Sequence, residues 1–251
     1  NERGYAAETC WETFDPVGEK GGLAAPGDVR SSESVKGTRH GSRWMPPECD
    51  VSIRPGWFWH EKDNARVKTP SELMDLYFRS TGRGASLLLN VPPDRRGRLH
   101  ENDVASLAAF GNRMAATFRE NRAASASTKA SHVRGRSRQF AAANLIDGKP
   151  GTYWSTDDHI TTADITFEWR QPVTFDVIRL REYIPLGQRI DRVAVDIWQQ
   201  DQWQEVGDAT SIGACRLLQL SAKHTTDRAR LRVIEASAPP ALSEFSLYLH
   251  A

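Results

Sequence analysis

The stretch Trp44-Met-Pro-Pro-Glu-Cys-Asp-Val-Ser-Ile-Arg-Pro-Gly-Trp-Phe-Trp-His60 is the segment around which the first half of the chain is organised. It places two carboxylates, Glu48 and Asp50, two positions apart at the start of an apolar run. Alternate residues of a β-strand point to the same face, so the two acids are expected to project together. An acid beside indole rings suits sugar chemistry, because a drier site raises a carboxyl pKa and lets the group deliver a proton. The other interpretation is a structural acid pair in a strand lined by aromatic residues.

The same stretch resembles the signature of glycoside hydrolase family 29, the α-L-fucosidases. The shared pattern is Trp-x-Pro-x-Glu-x-Asp-Val-Ser-Ile-Arg-Pro-Gly-Trp-Phe, and it is most similar to the subgroup that prefers branched α-1,3/1,4-linked fucose. A second block, Ser86-Leu-Leu-Leu-Asn-Val-Pro-Pro-Asp-Arg-Arg-Gly97, resembles the last barrel strand of that family. The resemblance implies the carboxyl-terminal part of a (β/α)8 TIM barrel and a retaining exo-glycosidase that acts on fucosylated glycans.

The resemblance also implies roles for individual residues. Glu48 matches the acid/base, which would protonate the leaving glycosidic oxygen and then deprotonate the incoming water. Asp50 is a weaker catalytic candidate, because it shares the strand face with Glu48. Trp57 matches an aromatic residue near the fucose site, and Trp44 is expected on the leaving-group side. The aspartate nucleophile of the family has no match in this chain, so the chain alone is expected not to turn over substrate.

The first residues resemble part of an active-site loop of the same family. The run Asn1-Glu-Arg-Gly4 matches the end of a Gly-Asn-Glu-x-Gly pattern, so Asn1 and Glu2 are expected to face the substrate. We expect the chain to begin inside a barrel, because a complete barrel needs about 250 residues and residues 1–122 supply about half that. Residues 12–43 are rich in Gly, Ser, Pro and charge, which predicts either a substrate loop on the barrel rim or an unordered loop.

Two strand–helix units are predicted between residues 44 and 119. Thr69, Pro70 and Glu72 form a helix start, with a capping box and a proline in the first turn. Gly82 is expected to end this helix in a left-handed conformation. The continuous apolar run from Ala85 to Val91 predicts a strand that is buried on both faces, and a second helix is predicted over 102–119.

Asn90 lies at the carboxyl end of this second strand. That end is the catalytic face of an alternating α/β barrel. We interpret Asn90 as an amide that fixes a loop, and the alternative is a role in catalysis.

The second half of the chain has the pattern of an all-β sandwich. Short alternating segments are separated by turn residues, which is typical of sandwiches. The strands are predicted at Asp164–Trp169, Thr174–Glu182, Arg192–Gln199, Trp203–Val206, Arg216–Leu220, Arg230–Glu235 and Phe245–Leu249. The predicted division is a barrel portion over 1–122, a linker over 123–139 and a β-sandwich over 140–251.

The segment Asn144-Leu-Ile-Asp-Gly-Lys-Pro-Gly-Thr-Tyr-Trp154 resembles the opening of discoidin-like (F5/8 type C) sandwiches, the fold of carbohydrate-binding module family 32. The resemblance implies a structural calcium ion held by Asp147, Thr152 and Glu244 together with backbone carbonyls, since Ca²⁺ prefers hard oxygen ligands. The alternative is that Asp147 only stabilises the turn before Gly148.

Three residues of the sandwich are glycan-binding candidates by residue type alone. They are Tyr153, Trp154 and His159, and of these Trp154 is interpreted as a core residue. The resemblance does not locate a sugar site.

Bulk composition narrows the function classes further. The net charge of +1 gives no reason to expect nucleic acid or an acidic membrane surface as a partner. The sequence contains no run of about 18 apolar residues, the length that a membrane-spanning helix needs. The spacing of Cys10, Cys49 and Cys215 matches neither a disulfide framework nor a zinc site. Family resemblance implies a periplasmic or extracellular enzyme. A non-catalytic, lectin-like glycan-binding module is the alternative, and an adhesion protein is the third possibility.

Overall fold

The computed structural model describes residues 4–15 and 35–251. The strands are β1 (Thr13–Phe14), β2 (Arg43–Trp44), β3 (Glu48–Ser52), β4 (Ser86–Asn90), β5 (Ser127–Ala130), β6 (Trp154–Ser155), β7 (Ala163–Glu182), β8 (Ile190–Gln199), β9 (Gln202–Ala209), β10 (Arg216–Ala236) and β11 (Ala241–Tyr248). The α-helices are α1 (Pro70–Arg79) and α2 (Glu101–Thr117). Short 3-10 helices lie at Glu61–Arg66, Arg134–Arg136, Arg138–Phe140, Ala142–Leu145 and Ile184–Leu186. Most of the predicted loop 12–43 lies outside the described residues.

The first half contains one parallel strand pair with a helix after each strand. β3 pairs with β4 in a register that sets Glu48 beside Ser86 and Ser52 beside Asn90. The chain runs from β3 through α1 to β4 and then into α2, which is the alternating order predicted from the sequence. Within residues 4–15 and 35–251 these two strands do not close a barrel, so the implied TIM barrel is not seen here.

Helix α1 begins as its sequence predicts. The Thr69 hydroxyl accepts a hydrogen bond from the Glu72 backbone N–H, and the Glu72 carboxylate accepts one from the Thr69 N–H at 2.7 Å. The prediction for Gly82 was wrong, because the helix ends at Ser80 and Gly82 has no positive φ. Glycine is needed there for space, since an added Cβ would lie 2.3 Å from the Phe78 carbonyl oxygen.

The second half is one seven-stranded antiparallel sheet that folds back on itself. Its order is β6-β11-β7-β10-β8-β9, with β5 also paired to β7. The predicted strands 164–169 and 174–182 are one continuous strand, β7, and 216–220 and 230–235 are likewise both part of β10. Register shifts between Gln219 and His224 and between Thr226 and Arg228 bend the pair β7–β10 instead of breaking it.

The core of the second half lies between the two parts of this folded sheet. The Phe167 ring, from the first part of β7, stacks on the Phe245 ring of β11 with 4.0 Å between ring centroids. Trp154 is fully buried, as the sequence predicts, and its indole N–H donates to the His132 carbonyl at 2.9 Å. Two opposed sheet faces around one apolar core form a sandwich-like arrangement.

The predicted linker is partly a strand. β5 lies within 123–139 and pairs with β7, with Ser127 beside Glu168 and Ala130 beside Ile165. The Ala-Ser-rich composition of this segment indicated either a linker or an edge segment, and the second fits, because its backbone groups join the sheet ladder. These residues therefore belong to the sheet.

The two halves of the chain meet across an interface that is both apolar and hydrogen-bonded. Met74 and Phe78 of α1 pack with Leu217 and Tyr248 of the sheet. The Leu217 backbone N–H donates to the Gly82 carbonyl at 2.8 Å. The loop that precedes β4 is thus fixed to the sheet.

Candidate functional site

The carboxyl ends of β3 and β4 are joined by one amide side chain. The Asn90 carboxamide donates to the Ser52 hydroxyl at 3.0 Å and to the Trp57 carbonyl at 3.0 Å. The Ser52 hydroxyl in turn donates to the Gly56 carbonyl at 2.8 Å. Asn90 therefore fixes the loop that carries Trp57, which confirms its interpretation as a loop-fixing amide.

Aromatic side chains project from this fixed loop. Trp57 is 39% exposed and Phe58 is 77% exposed, although both are large apolar residues. A cleft of about 270 Å³ lies beside Phe58, and its lining also includes Trp59, His60, Pro93 and Asp94. Exposed aromatic rings next to a cleft provide stacking surfaces for a sugar-like ligand.

The turn after β4 closes one side of that cleft. Hydrogen bonds from the Arg96 guanidinium lower the pKa of Asp94 to about 2, and the two side chains form an ion pair at 2.6 Å. Asp94 is therefore a structural acid and not a proton donor.

Glu48 and Asp50 lie on one face of β3, as the strand period predicts. Cys49 between them is fully buried on the other face, against Ala6 and Ala85. Glu48, however, is the first residue of β3, whereas Trp57 follows its last residue. Four residue steps of a parallel strand span about 13 Å. Glu48, at the amino end of β3, is therefore separated along the strand from the loop that carries Trp57, and its role as acid/base stays a prediction.

Trp44 lies at that same amino end, 68% exposed. β2 pairs with β1, which sets Trp44 beside Thr13. Its indole N–H donates to the carboxylate of Glu12, and the Ala214 backbone N–H donates to Glu12 Oε1 at 2.6 Å. Burial raises the pKa of Glu12. The structure thus places Trp44 beside Glu12, which contacts Ala214 just before β10, and the place of Trp44 on the leaving-group side stays a prediction.

Asn1 and Glu2 lie outside the described residues. Gly4 is the first residue that is described, and a Cβ built on it would lie 3.2 Å from the Val51 Cβ and 2.9 Å from the Leu76 Cδ2. Val51 is the fourth residue of β3, so Gly4 packs against the half of the strand that leads to Trp57.

Arg54 is a residue whose role the sequence did not reveal. Its guanidinium is fully buried and forms a forked ion pair with Asp103, at 3.0 Å from Nε and 2.9 Å from Nη2. Asn64 accepts a further hydrogen bond from Nη1 at 3.0 Å. Arg54 therefore ties the Trp57 loop to the first turn of α2 and has no free donor aimed at the open face of β3.

The side chains predicted to hold calcium have other partners. Asp147 accepts hydrogen bonds from the Lys149 backbone N–H and from the Thr152 hydroxyl, both at 2.8 Å. Glu244 is paired with Arg179 at 2.6 Å and with Arg181 at 3.2 Å. Among the described residues, no group of three or more His, Cys, Asp or Glu side chains is placed to hold a metal ion. These residues, as arranged, do not fit a Ca²⁺ ion.

The remaining sandwich candidates are dispersed. Tyr153 stacks on Tyr183 with 4.2 Å between ring centroids, while His159 is exposed in a left-handed conformation and Trp154 is in the core. The sequence also missed Glu182, a buried acid at the end of β7. Its carboxylate accepts backbone N–H groups from Arg189, Ile190 and Gly213, yet burial raises its pKa to about 7.

Comparison with known proteins points to one family. Residues 21–117 match the family model described as alpha-L-fucosidase. An Arabidopsis thaliana protein named alpha-L-fucosidase 1 is 34% identical over 252 residues and covers 99% of this chain and 48% of its own length. The crystal structure named SpGH29 superposes with a TM-score of 0.90 at 34% identity, covering 100% of this chain and 53% of its own. A Ruminococcus gnavus GH29 fucosidase in complex with fucose superposes with a TM-score of 0.87 at 32% identity, covering 100% and 50%.

The chain spans about half the length of the curated relatives that it matches. The matches nevertheless run across both the β3–β4 unit and the folded sheet, since they cover nearly all of this chain. No helix in the described ranges is both long and apolar enough to cross a bilayer.

Proposed function

We propose that this chain is the carboxyl-terminal half of a glycoside hydrolase family 29 α-L-fucosidase, a retaining exo-glycosidase. Its substrates would be oligosaccharides or glycoconjugates with terminal α-1,3- or α-1,4-linked fucose. The family match of residues 21–117 supports the reaction class. The fixed Trp57 loop at the carboxyl ends of two parallel strands is the observation that carries the site, because that end is where barrel enzymes bind substrate.

Catalysis would need two carboxyl groups about 5–5.5 Å apart, one as nucleophile and one as acid/base. We assign the nucleophile to a barrel strand upstream of Asn1. The rest of the barrel would come from that upstream part, with the described sheet as a discoidin-like domain. This chain alone would then bind but not cleave.

Two residues compete for the acid/base. Glu48 has the sequence match, but it lies at the amino end of β3. Glu2 belongs to the Asn-Glu-x-Gly run that resembles an active-site loop, and Gly4 of that run packs on the carboxyl-terminal half of the same strand. Since acid and nucleophile must meet at the carboxyl face, we propose Glu2 as acid/base and leave Glu48 and Asp50 as alternatives.

The proposed role of Trp57 is stacking on the apolar face of the sugar. Its ring stands free of the core, while the loop backbone is held by Asn90. A rigid platform loses little entropy when the ligand binds. Trp44, beside the sheet domain, would serve the junction and not the leaving group.

The decisive experiment for the reaction class uses the whole protein. Incubated with a fucosylated oligosaccharide, it should release free fucose with retained anomeric configuration, and an otherwise identical glycan without fucose should remain intact. Binding of fucosylated glycan without release would instead support the alternative, a non-catalytic glycan-binding module. A periplasmic or extracellular location is part of the proposal and would be tested by fractionating cells.

A further inference from the structure

Glu244, one residue of the calcium site implied by family resemblance, lines a cavity in which cationic side chains outnumber carboxylates. The cavity measures about 400 Å³ and lies between the turn at Gly148–Pro150 and the outer face of β7 and β11. Its charged lining residues are Lys149, Arg179, Arg181, Glu182 and Glu244.

Both carboxylate oxygens of Glu244 lie near guanidinium groups in this cavity. Its Oε1 atom accepts hydrogen bonds from Arg179 Nε at 2.6 Å and from the Ser246 hydroxyl at 2.6 Å. Its Oε2 atom lies 3.2 Å from Arg181 Nε. The side chain of Glu244 is only 17% exposed, so these contacts are partly shielded from water. A calcium ion needs six to eight oxygen ligands at 2.3–2.6 Å, and it would have to displace these donors to use Glu244.

Arg179 is itself held in place from several sides. It donates to the Tyr248 hydroxyl, and its guanidinium lies 4.9 Å from the centroid of the Tyr248 ring. The Phe118 ring lies 5.8 Å away on the other half of the molecule. A guanidinium fixed by rings and a carboxylate is not free to swing aside for an ion.

The turn on the other side of the cavity is complete without a metal. Both carboxylate oxygens of Asp147 accept hydrogen bonds from within the turn, from the Lys149 N–H and the Thr152 hydroxyl. An Asp side chain that accepts a hydrogen bond from the backbone N–H two residues later is sufficient to stabilise such a turn.

We propose that the guanidinium pair Arg179–Arg181 takes the place of the divalent cation, so that the sheet domain is stable without calcium. The two fixed positive charges neutralise Glu244 and link the closing strand β11 to β7. A Ca²⁺ ion would bring two more positive charges into a cavity where three cationic side chains already face two carboxylates.

Thermal unfolding of the full chain with and without a chelator tests this proposal. The melting temperature should agree within about 1 °C in excess EDTA and in millimolar CaCl2. Arg179→Met should lower it by at least about 2 °C in both solutions, the shift that goes with a loss of about 1 kcal/mol in a chain of this size. Arg179→Lys, which keeps the charge but not the fork, should fall between the parent and Arg179→Met.

The comparison with Asp147→Ala distinguishes a sheet domain that is stable without calcium from one that holds a calcium ion. A lower melting temperature of the parent in EDTA, abolished by Asp147→Ala, would overturn the proposal in favour of a calcium site. The parent measurement decides the question even if a variant fails to fold, and it uses no enzymatic readout.

Discussion

The Arg54 guanidinium and the Asp103 carboxylate form a fully buried, forked ion pair that joins the Trp57 loop to the first turn of α2. Both side chains are 0% exposed, so neither has water as an alternative partner. The carboxylate also lies near the amino terminus of α2, where the helix dipole favours negative charge. The position of the proposed sugar platform therefore depends on a pair that is buried beneath the loop.

Removal of one partner of this pair should be strongly destabilising. Asp103→Ala is expected to lower the free energy of unfolding by about 3–5 kcal/mol, because it leaves the Arg54 charge buried without a counter-ion. Urea unfolding measures the change. Asp75→Ala is the matched control, since it removes an exposed ion pair with Arg79 and should cost less than about 0.5 kcal/mol. Equal effects of the two substitutions would contradict the assignment.

Glu182 should make stability depend on pH. Its pKa in the folded chain is about 7, raised by burial despite three backbone donors. An unfolded glutamate releases its proton near its ordinary pKa of about 4.3, so between the two values the folded state binds more protons and stability falls as the pH rises. The parent should lose about 3 kcal/mol relative to Glu182→Gln between pH 4.5 and 7.5.

Urea midpoints of parent and variant at several pH values measure this difference. The carboxylate of Glu12, whose pKa burial also raises, contributes in the same direction and is present in both proteins. Parallel pH profiles would show that Glu182 is ionised throughout.

Substitution by alanine is expected to change stability in opposite directions at two glycines. Gly82→Ala should destabilise by about 1–3 kcal/mol, because the added Cβ would lie 2.3 Å from the Phe78 carbonyl oxygen, and backbone must move. Gly111→Ala, within α2, meets no atom within 4 Å and should stabilise by about 0.5–1 kcal/mol. Thermal unfolding of both variants suffices, and a neutral Gly82→Ala would contradict the close approach seen between this loop and α1.

Local signals in the sequence predicted local structure well. The capping box at Thr69 and Glu72, the position of β4 and the buried Trp154 all follow from short-range chemistry. The predicted burial of β4 on both faces was wrong for the described residues, since Leu88 is 51% exposed. The continuity of β7 was missed because the turn-like Arg170-Gln-Pro172 segment bends the strand without ending it. Local composition cannot predict that a strand continues through a bend, because the continuity depends on pairing with a strand that is distant in sequence.

The functional site was harder to predict because it depends on which end of a strand a residue occupies. Glu48 and Trp57 are close in sequence, and a strand period alone assigns a face but not an end. The ion pair of Glu244 with Arg179 was equally difficult to predict. The two residues are 65 positions apart in sequence, and the register between β7 and β11 brings them together. The loop-fixing role of Asn90 was recognised because its motif ends at the loop itself, whereas the role of Trp57 stays a prediction.

The central claim is that the proton donor acts at the carboxyl ends of the barrel strands, and a pair of substitutions in the whole protein tests it most directly. Glu2→Gln should lower kcat/KM for a fucosylated oligosaccharide by about 10²–10⁴, the usual contribution of a general acid, while Glu48→Gln should stay within about tenfold of the parent. The opposite result, a large loss with Glu48→Gln and little change with Glu2→Gln, would contradict the placement of the site.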